Sequence, residues 1–178
     1  MKLIFVRHAA AIEKTGKVSD EKRYLTSEGR VFFRKTALTM LKNGLEPSLI
    51  LTSPLIRSVQ TAEILAETLS FNGPLVVADE LAPGFDVVAL QTLFKKYQSV
   101  NELVLVGHEP DLSSLIVSLL NLPSGFNFKK GAAINLKFDP ARPEKRAIFK
   151  WLAAGKNMIP KRKDAFPLKA QAKESHFE

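Results

Sequence analysis

Apolar residues along the chain follow two rhythms. Leu3, Ile4, Phe5 and Val6 form an unbroken apolar run, the pattern of a strand buried on both faces of a parallel sheet. Residues 49–51 and 103–106 repeat it, and residues 75–78 read as a further strand. Between these runs the spacing lengthens to that of helices. Thr26 is placed to cap a helix running to residue 43, with Phe33, Ala37 and Leu41 on its core face and Gly44 as its stop. Ser53-Pro54 reads as a second helix start, a hydroxyl cap with proline at the first helical position. That helix is expected to carry Leu55, Val59, Ala62, Ala66 and Leu69 inward. Residues 86–98 read as an amphipathic helix burying Val87, Leu90 and Leu93 or Phe94, and Pro110 opens a helix to residue 121. Residues 133–138 and 147–152 alternate at period two, as an antiparallel hairpin or sheet edge does. Beyond Gly155 the pattern lapses.

Alternation of strand and helix, closed by two strands, predicts a three-layer α/β/α sandwich with a mostly parallel central sheet and an antiparallel edge. In such sheets ligands bind outside the carboxyl ends of the strands. With 178 residues, one domain is the expected organisation, over residues 1–155, followed by a basic tail at 156–178.

Composition narrows the chemistry. The absence of cysteine excludes thiol nucleophiles, disulfide frameworks, thiolate zinc sites and iron–sulfur clusters. No apolar run approaches the roughly 18 residues of a membrane span, and the run at residues 3–6 is too short for the core of an export signal. A cytoplasmic protein without membrane contact is expected. The net charge of +8 is uneven: residues 137–178 carry 11 Lys and Arg against 5 Asp and Glu, residues 1–136 carry 15 against 13. With few aromatics among them to stack bases, the C-terminal cations read as a solvated tail, and nucleic acid is not the expected partner.

Ionisable groups follow directly on three buried strands: Arg7-His8, then Ser53 with Arg57 one turn on, then Gly107-His108-Glu109. All should open onto one rim of the sheet, where His8 and His108 can meet. The third histidine, His176, lies in the tail. Two guanidinium forks suit an anion with charge spread over several oxygens, and a phosphoryl group is such an anion. Arg7 and Arg57 would clamp it. One neutral imidazole can then attack phosphorus while a second stabilises the transition state; His8 fits the nucleophile. Helix N-termini at Pro54 and Pro110 would favour the anion further.

The segments Val6-Arg7-His8-Ala9, Leu25-Thr26-Ser27-Glu28-Gly29, residues 53–62 (SPLIRSVQTA) and residues 106–112 (VGHEPDL), in this order and spacing, resemble the histidine phosphatase (phosphoglycerate mutase-like) superfamily. The short chain, residues 107–112 and Lys130-Gly131 most resemble its SixA-type phosphohistidine phosphatases. The resemblance spans residues 1–155. It implies a phosphoglycerate mutase-like fold and a two-step hydrolysis needing no metal or cofactor. His8 would be phosphorylated, Arg7 and Arg57 would bind the phosphoryl oxygens, and His108 would complete that pocket. Many members have an acidic residue soon after the Arg-His pair, where this chain has Ala9, Ala10 and Ala11. The superfamily's general acid lies after the third strand, which offers Glu80 first and Asp79 second; as loop carboxylates both can equally be structural.

A weak acid position suits phosphohistidine, whose imidazole leaves phosphorus with less help than an alkoxide does. The loop from residue 79 to residue 86 is also too short for the lid with which mutases and sugar phosphatases enclose small substrates. A phosphorylated protein is therefore the expected partner, with phosphate or another small oxyanion in the site and a role in signal transduction. A small phosphomonoester, or a non-catalytic phosphate-recognition module using the basic tail, is the alternative. Glu109 and Asp111 read as structural, since acidic residues are favoured at a helix start but oppose a bound phosphate. Lys129 and Lys130 read as solvated.

Overall fold

The computed structural model describes residues 1–15, 18–123, 126, 128–142 and 145–167. Residues 168–178, with His176 and about half of the expected tail, lie outside the described residues. The elements are β1 (Lys2–Arg7), α1 (Ser27–Lys42), β2 (Leu49–Thr52), α2 (Ile56–Leu69), β3 (Leu75–Val77), α3 (Val87–Lys96), β4 (Glu102–Gly107), α4 (Asp111–Leu120), β5 (Ala132–Lys137), β6 (Ile148–Ala154), β7 (Asn157–Ile159) and α5 (Arg162–Ala165). One seven-stranded sheet has the order β3-β2-β4-β1-β5-β6-β7. Its first four strands are parallel and the last three add antiparallel. This is the mostly parallel α/β sandwich with an antiparallel edge that the pattern predicts.

The layers follow from alternation along the strands. Leu3 and Phe5 of β1 join Leu51, Leu103 and Leu105 in a core with Leu90 and Leu93 of α3 and Leu112 and Ile116 of α4. Ile4 and Val6 turn to the other face, with Ile50 and Val104, against Phe33 and Met40 of α1 and Ala62 and Leu65 of α2. Both faces of β1 are closed, as its apolar run requires.

Five details differ from the sequence reading. Met40, not Leu41, completes the inner face of α1; Leu41 is 41% exposed. Val87 is exposed because it opens α3 beside its cap Asp86, whose side chain accepts from Val88 N and Ala89 N. Pro54 is not the first residue of α2, which starts at Ile56 without a side-chain cap. Nor is the inner face of α2 set by its apolar residues alone: Arg57, Ser58 and Thr61 are buried in the first turns, while Val59, Ala66 and Leu69 are only partly buried. Regular structure also continues past Gly155, whose φ of +60° turns the chain into β7 against β6. The reversal needs one residue of positive φ, which glycine supplies without strain.

Candidate active site

Parallel pairing brings the two distant histidines together. Arg7 and Gly107 are register partners at the carboxyl ends of β1 and β4, so His8 and His108 leave adjacent strands, and His8 N donates to Gly107 O at 3.1 Å. Their ring centroids lie 5.1 Å apart. On the other side of β4, β2 leads through Ser53 to α2, and Arg57 in its first turn donates from Nε to His8 Nε2 at 3.2 Å. His8, Arg57 and His108 are each at most 7% exposed.

The proton on the His8 ring is fixed by its neighbours. Nδ1 lies 2.7 Å from Ala9 O, a group that can only accept, so Nδ1 carries the hydrogen. Burial, then the nearby His108, Arg57 and Arg7 charges, lower its pKa to about 3 against the pull of the Ala9 bond. The ring is therefore neutral near pH 7, and its lone pair is on Nε2, facing Arg57. The backbone that sets this arrangement is itself held. Ala10 O accepts from Thr26 N at 3.0 Å, Thr61 Oγ1 accepts from Ala9 N at 3.1 Å, and a Cβ at Gly29 would collide with Ala10 O.

Asp20 is a site residue that the sequence reading missed. It sits in a single 3₁₀ turn (Asp20–Lys22) between β1 and α1. Arg57 Nη1 donates to Asp20 O at 2.6 Å and Nη2 to Asp20 Oδ2 at 2.9 Å, while Arg23 Nη1 holds Asp20 Oδ1 at 2.9 Å. The bonds from Arg23 and Arg57 keep the Asp20 carboxyl below its usual pKa. Asp20 thus takes the end of the Arg57 fork and leaves the Nε side facing His8. The available signal was an Asp and an Arg three residues apart in a polar stretch, too common a spacing to single out.

Arg7 is oriented by a chain of bonds from α4. Its Nη1 donates to Phe128 O at 2.5 Å. Phe128 N donates to Ser113 Oγ, whose hydroxyl donates to Glu109 Oε2, and Ser113 N donates to Glu109 Oε1. Glu109 therefore ties down the segment that holds Arg7. Burial raises its pKa against the Ser113 bond, and burial lowers that of Arg7. Gly131 N reaches Arg7 O and His8 O, both at 3.1 Å, and Gly131 O accepts from Thr36 Oγ1 at 2.9 Å.

His108 Nε2 lies 2.7 Å from Ser53 Oγ and 3.3 Å from Ser58 Oγ. Ser53 does not cap α2, as its place before Pro54 suggested; it orients this ring. Burial, then the Arg57 charge, lower the His108 pKa to about 4. Among the described residues, His108 Nδ1, Arg7 Nε and Asn135 Oδ1 are the buried side-chain polar atoms without a partner. Two of the three belong to this site, where an unmet polar group is costly unless a ligand completes it.

Residues 3–82 match the histidine phosphatase superfamily (branch 1). An uncharacterized protein of Picosynechococcus sp. is 35% identical over 146 residues, covering 80% of this chain and 88% of that protein. The chain belongs to the histidine phosphatase superfamily. Its fold is shared with the protein histidine phosphatase SixA in complex with tungstate, at TM-score 0.76, 24% identity and coverage of 87% of this chain and 97% of that one. It is also shared with the alpha-ribazole phosphatase of Shigella flexneri, at TM-score 0.64, 17% identity and coverage of 96% and 100%.

For a histidine phosphatase the rest of the rim is sparse. Asp79 and Glu80 lie in a 3₁₀ turn (Asp79–Leu81) just after β3, two strands from β4 on the same side of the sheet. Asp79 is exposed and Glu80 partly buried, and neither makes a side-chain hydrogen bond among the described residues. Ala9 and Ala11 are buried, so the segment after His8 packs as core. Asp111 Oδ2 accepts from Gly84 N at 2.8 Å, tying the short loop after β3 to α4. Lys129 and Lys130 are exposed. No group of three or more His, Asp and Glu among the described residues is arranged to hold a metal ion, and no described helix is long and apolar enough to cross a membrane.

Proposed function

We propose that the protein is a phosphohistidine phosphatase acting on a phosphorylated protein through a covalent phospho-His8 intermediate. The observation that carries this reading is the His8 ring itself, with Nδ1 committed to Ala9 O and the lone pair left on Nε2, where Arg57 Nε donates to it.

Arg7 and Arg57 bind the phosphoryl oxygens, and His108 supports the equatorial charge. His8 Nε2 attacks phosphorus in line; the P–N bond to the substrate imidazole breaks as the P–Nε2 bond forms. The departing imidazole takes a proton from solvent or from Glu80, the candidate general acid. Water then attacks phosphorus, the P–Nε2 bond breaks, orthophosphate leaves and the neutral ring is restored. Only a short turn follows β3, and it is held to α4, which supports a site open enough for a protein side chain.

His8→Ala is expected to lower turnover by at least about 10³-fold while leaving the unfolding transition in place. Rapid acid-free quenching of the wild type should trap alkali-stable, acid-labile phosphate on His8. Full activity in His8→Ala sinks the mechanism. Comparison of kcat/KM for a phosphohistidine protein, a sugar phosphate and a phosphorylated nucleotide tests the substrate; a preference for either small ester returns the assignment to the phosphomonoester alternative.

A further inference from the structure

At the opposite rim, where the parallel strands begin, a cleft of about 550 Å³ opens on the α1 side of the sheet. It exists because α1 stops at Lys42 and the chain turns away at Gly44, whose φ is +75°, leaving part of β5 and β6 uncovered. Asn135 of β5 lines it. This side chain is only 7% exposed, yet its Oδ1 has no partner among the described residues. A buried amide with an empty edge is a costly feature that a ligand can complete.

Its neighbours are arranged by a defect in the strand pairing. Trp151 pairs with Asn135 and Phe149 with Leu136, so Lys150 is the extra residue of a bulge in β6. Successive strand residues normally face opposite ways, but a bulge re-aims side chains, and both Lys150 and Trp151 line the cleft. Lys137 joins them. The carboxylate of Glu102 is already satisfied, by Lys2 Nζ at 2.6 Å and Glu46 N at 3.0 Å. Lys137 and Lys150 are exposed and carry no ion pair among the described residues.

We propose that this cleft binds an adenine mononucleotide. A carboxamide matches the amino and ring-nitrogen edge of adenine with one accepted and one donated hydrogen bond. The partly buried Trp151 offers an aromatic surface beside Asn135 for the base. Lys137 and Lys150 supply point charges for the phosphate at the mouth. The site is separate from the phosphatase centre: β1 and β4 start here and end there.

Trp151 is the only tryptophan of the chain, so its fluorescence reports on this rim alone. AMP is titrated into the His8→Ala protein, which removes the proposed nucleophile, with calorimetry in parallel. Saturable binding by both signals is expected. Inosine monophosphate, which lacks the amino group, and adenosine, which lacks the phosphate, should each bind at least about tenfold more weakly. Asn135→Leu should abolish the signal, and the surface change Lys150→Glu should weaken it at least about tenfold. Both changes, made in the otherwise wild-type chain, should leave phosphatase activity unaltered. No AMP binding by either method, equal affinity for inosine monophosphate, AMP heat that persists in Asn135→Leu, or undiminished AMP affinity in Lys150→Glu overturns the proposal.

Discussion

The two rims of this sheet handle positive charge in opposite ways. At the carboxyl ends of the strands, Arg57 is almost wholly buried, and the Asp20 carboxylate, the Asp20 backbone carbonyl and His8 fix it in place; Arg7 is tied to Phe128. At the opposite rim, Lys137 and Lys150 are exposed and carry no ion pair among the described residues. A group that must meet charge as it develops in a transition state gains from being held beforehand, because no reorganisation remains at the moment of reaction. A group that only attracts an anion can stay mobile. Planar arginine suits the first task and flexible lysine the second.

Acid should expose the contrast most strongly. His8 and His108 are buried neutral, with pKa values near 3 and 4 against about 6.5 in an unfolded chain. The unfolded state therefore binds more protons between pH 6.5 and pH 4, and stability must fall as pH falls through that window. It is complete above pH 6.5. The loss by pH 4 is expected to be on the order of several kcal/mol, read by denaturant unfolding at a series of pH values. His108→Gln should flatten the slope, whereas Lys137→Ala and Lys150→Ala should leave it alone. A flat profile in the wild type would show that the rings are not buried neutral.

Next in size is Arg57→Lys, which keeps the charge and loses the fork. It should reduce kcat/KM for a phosphohistidine substrate by about 10² to 10³-fold, against less than about twofold for Lys150→Ala. Smaller again is Asp20→Asn. If Asp20 holds Arg57 in position, kcat should fall by about tenfold with KM little changed. Tighter binding of tungstate with undiminished turnover would instead make Asp20 a competitor of the substrate anion, and the ordering of this rim would need another account.

Much of this was legible in the sequence, and the parts that were not share a cause. The apolar run of β1 and the Arg-His pair that ends it stand out because nothing but a buried strand explains them. That His8 and His108 meet on one rim followed from fold class, while the pairing of β1 with β4 that brings them together came from the structure. The inner face of α2 did not, because the site uses it: Arg57, Ser58 and Thr61 point inward to serve the two histidines and the Ala9 backbone. A helix whose buried face is partly polar gives a misleading apolar rhythm. Asp20 was hidden for a related reason. Its importance lies wholly in contacts with Arg57, 37 residues away in sequence, and no local spacing encodes that. Asn135 reads as one polar residue in an apolar strand, and only the register with Trp151 and the end of α1 give it a setting.

Gly29 carries a consequence for anyone altering this enzyme. It lies in the first turn of α1 and makes no contact with either histidine ring, yet its Cα rests so close to Ala10 O that even a methyl group has no room. Gly29→Ala would push on the stretch of backbone whose preceding carbonyl decides which nitrogen of His8 bears hydrogen. A correctly folded, phosphate-binding protein could then present the wrong tautomer to its substrate, and the fault would surface as lost turnover with every reactive side chain still present.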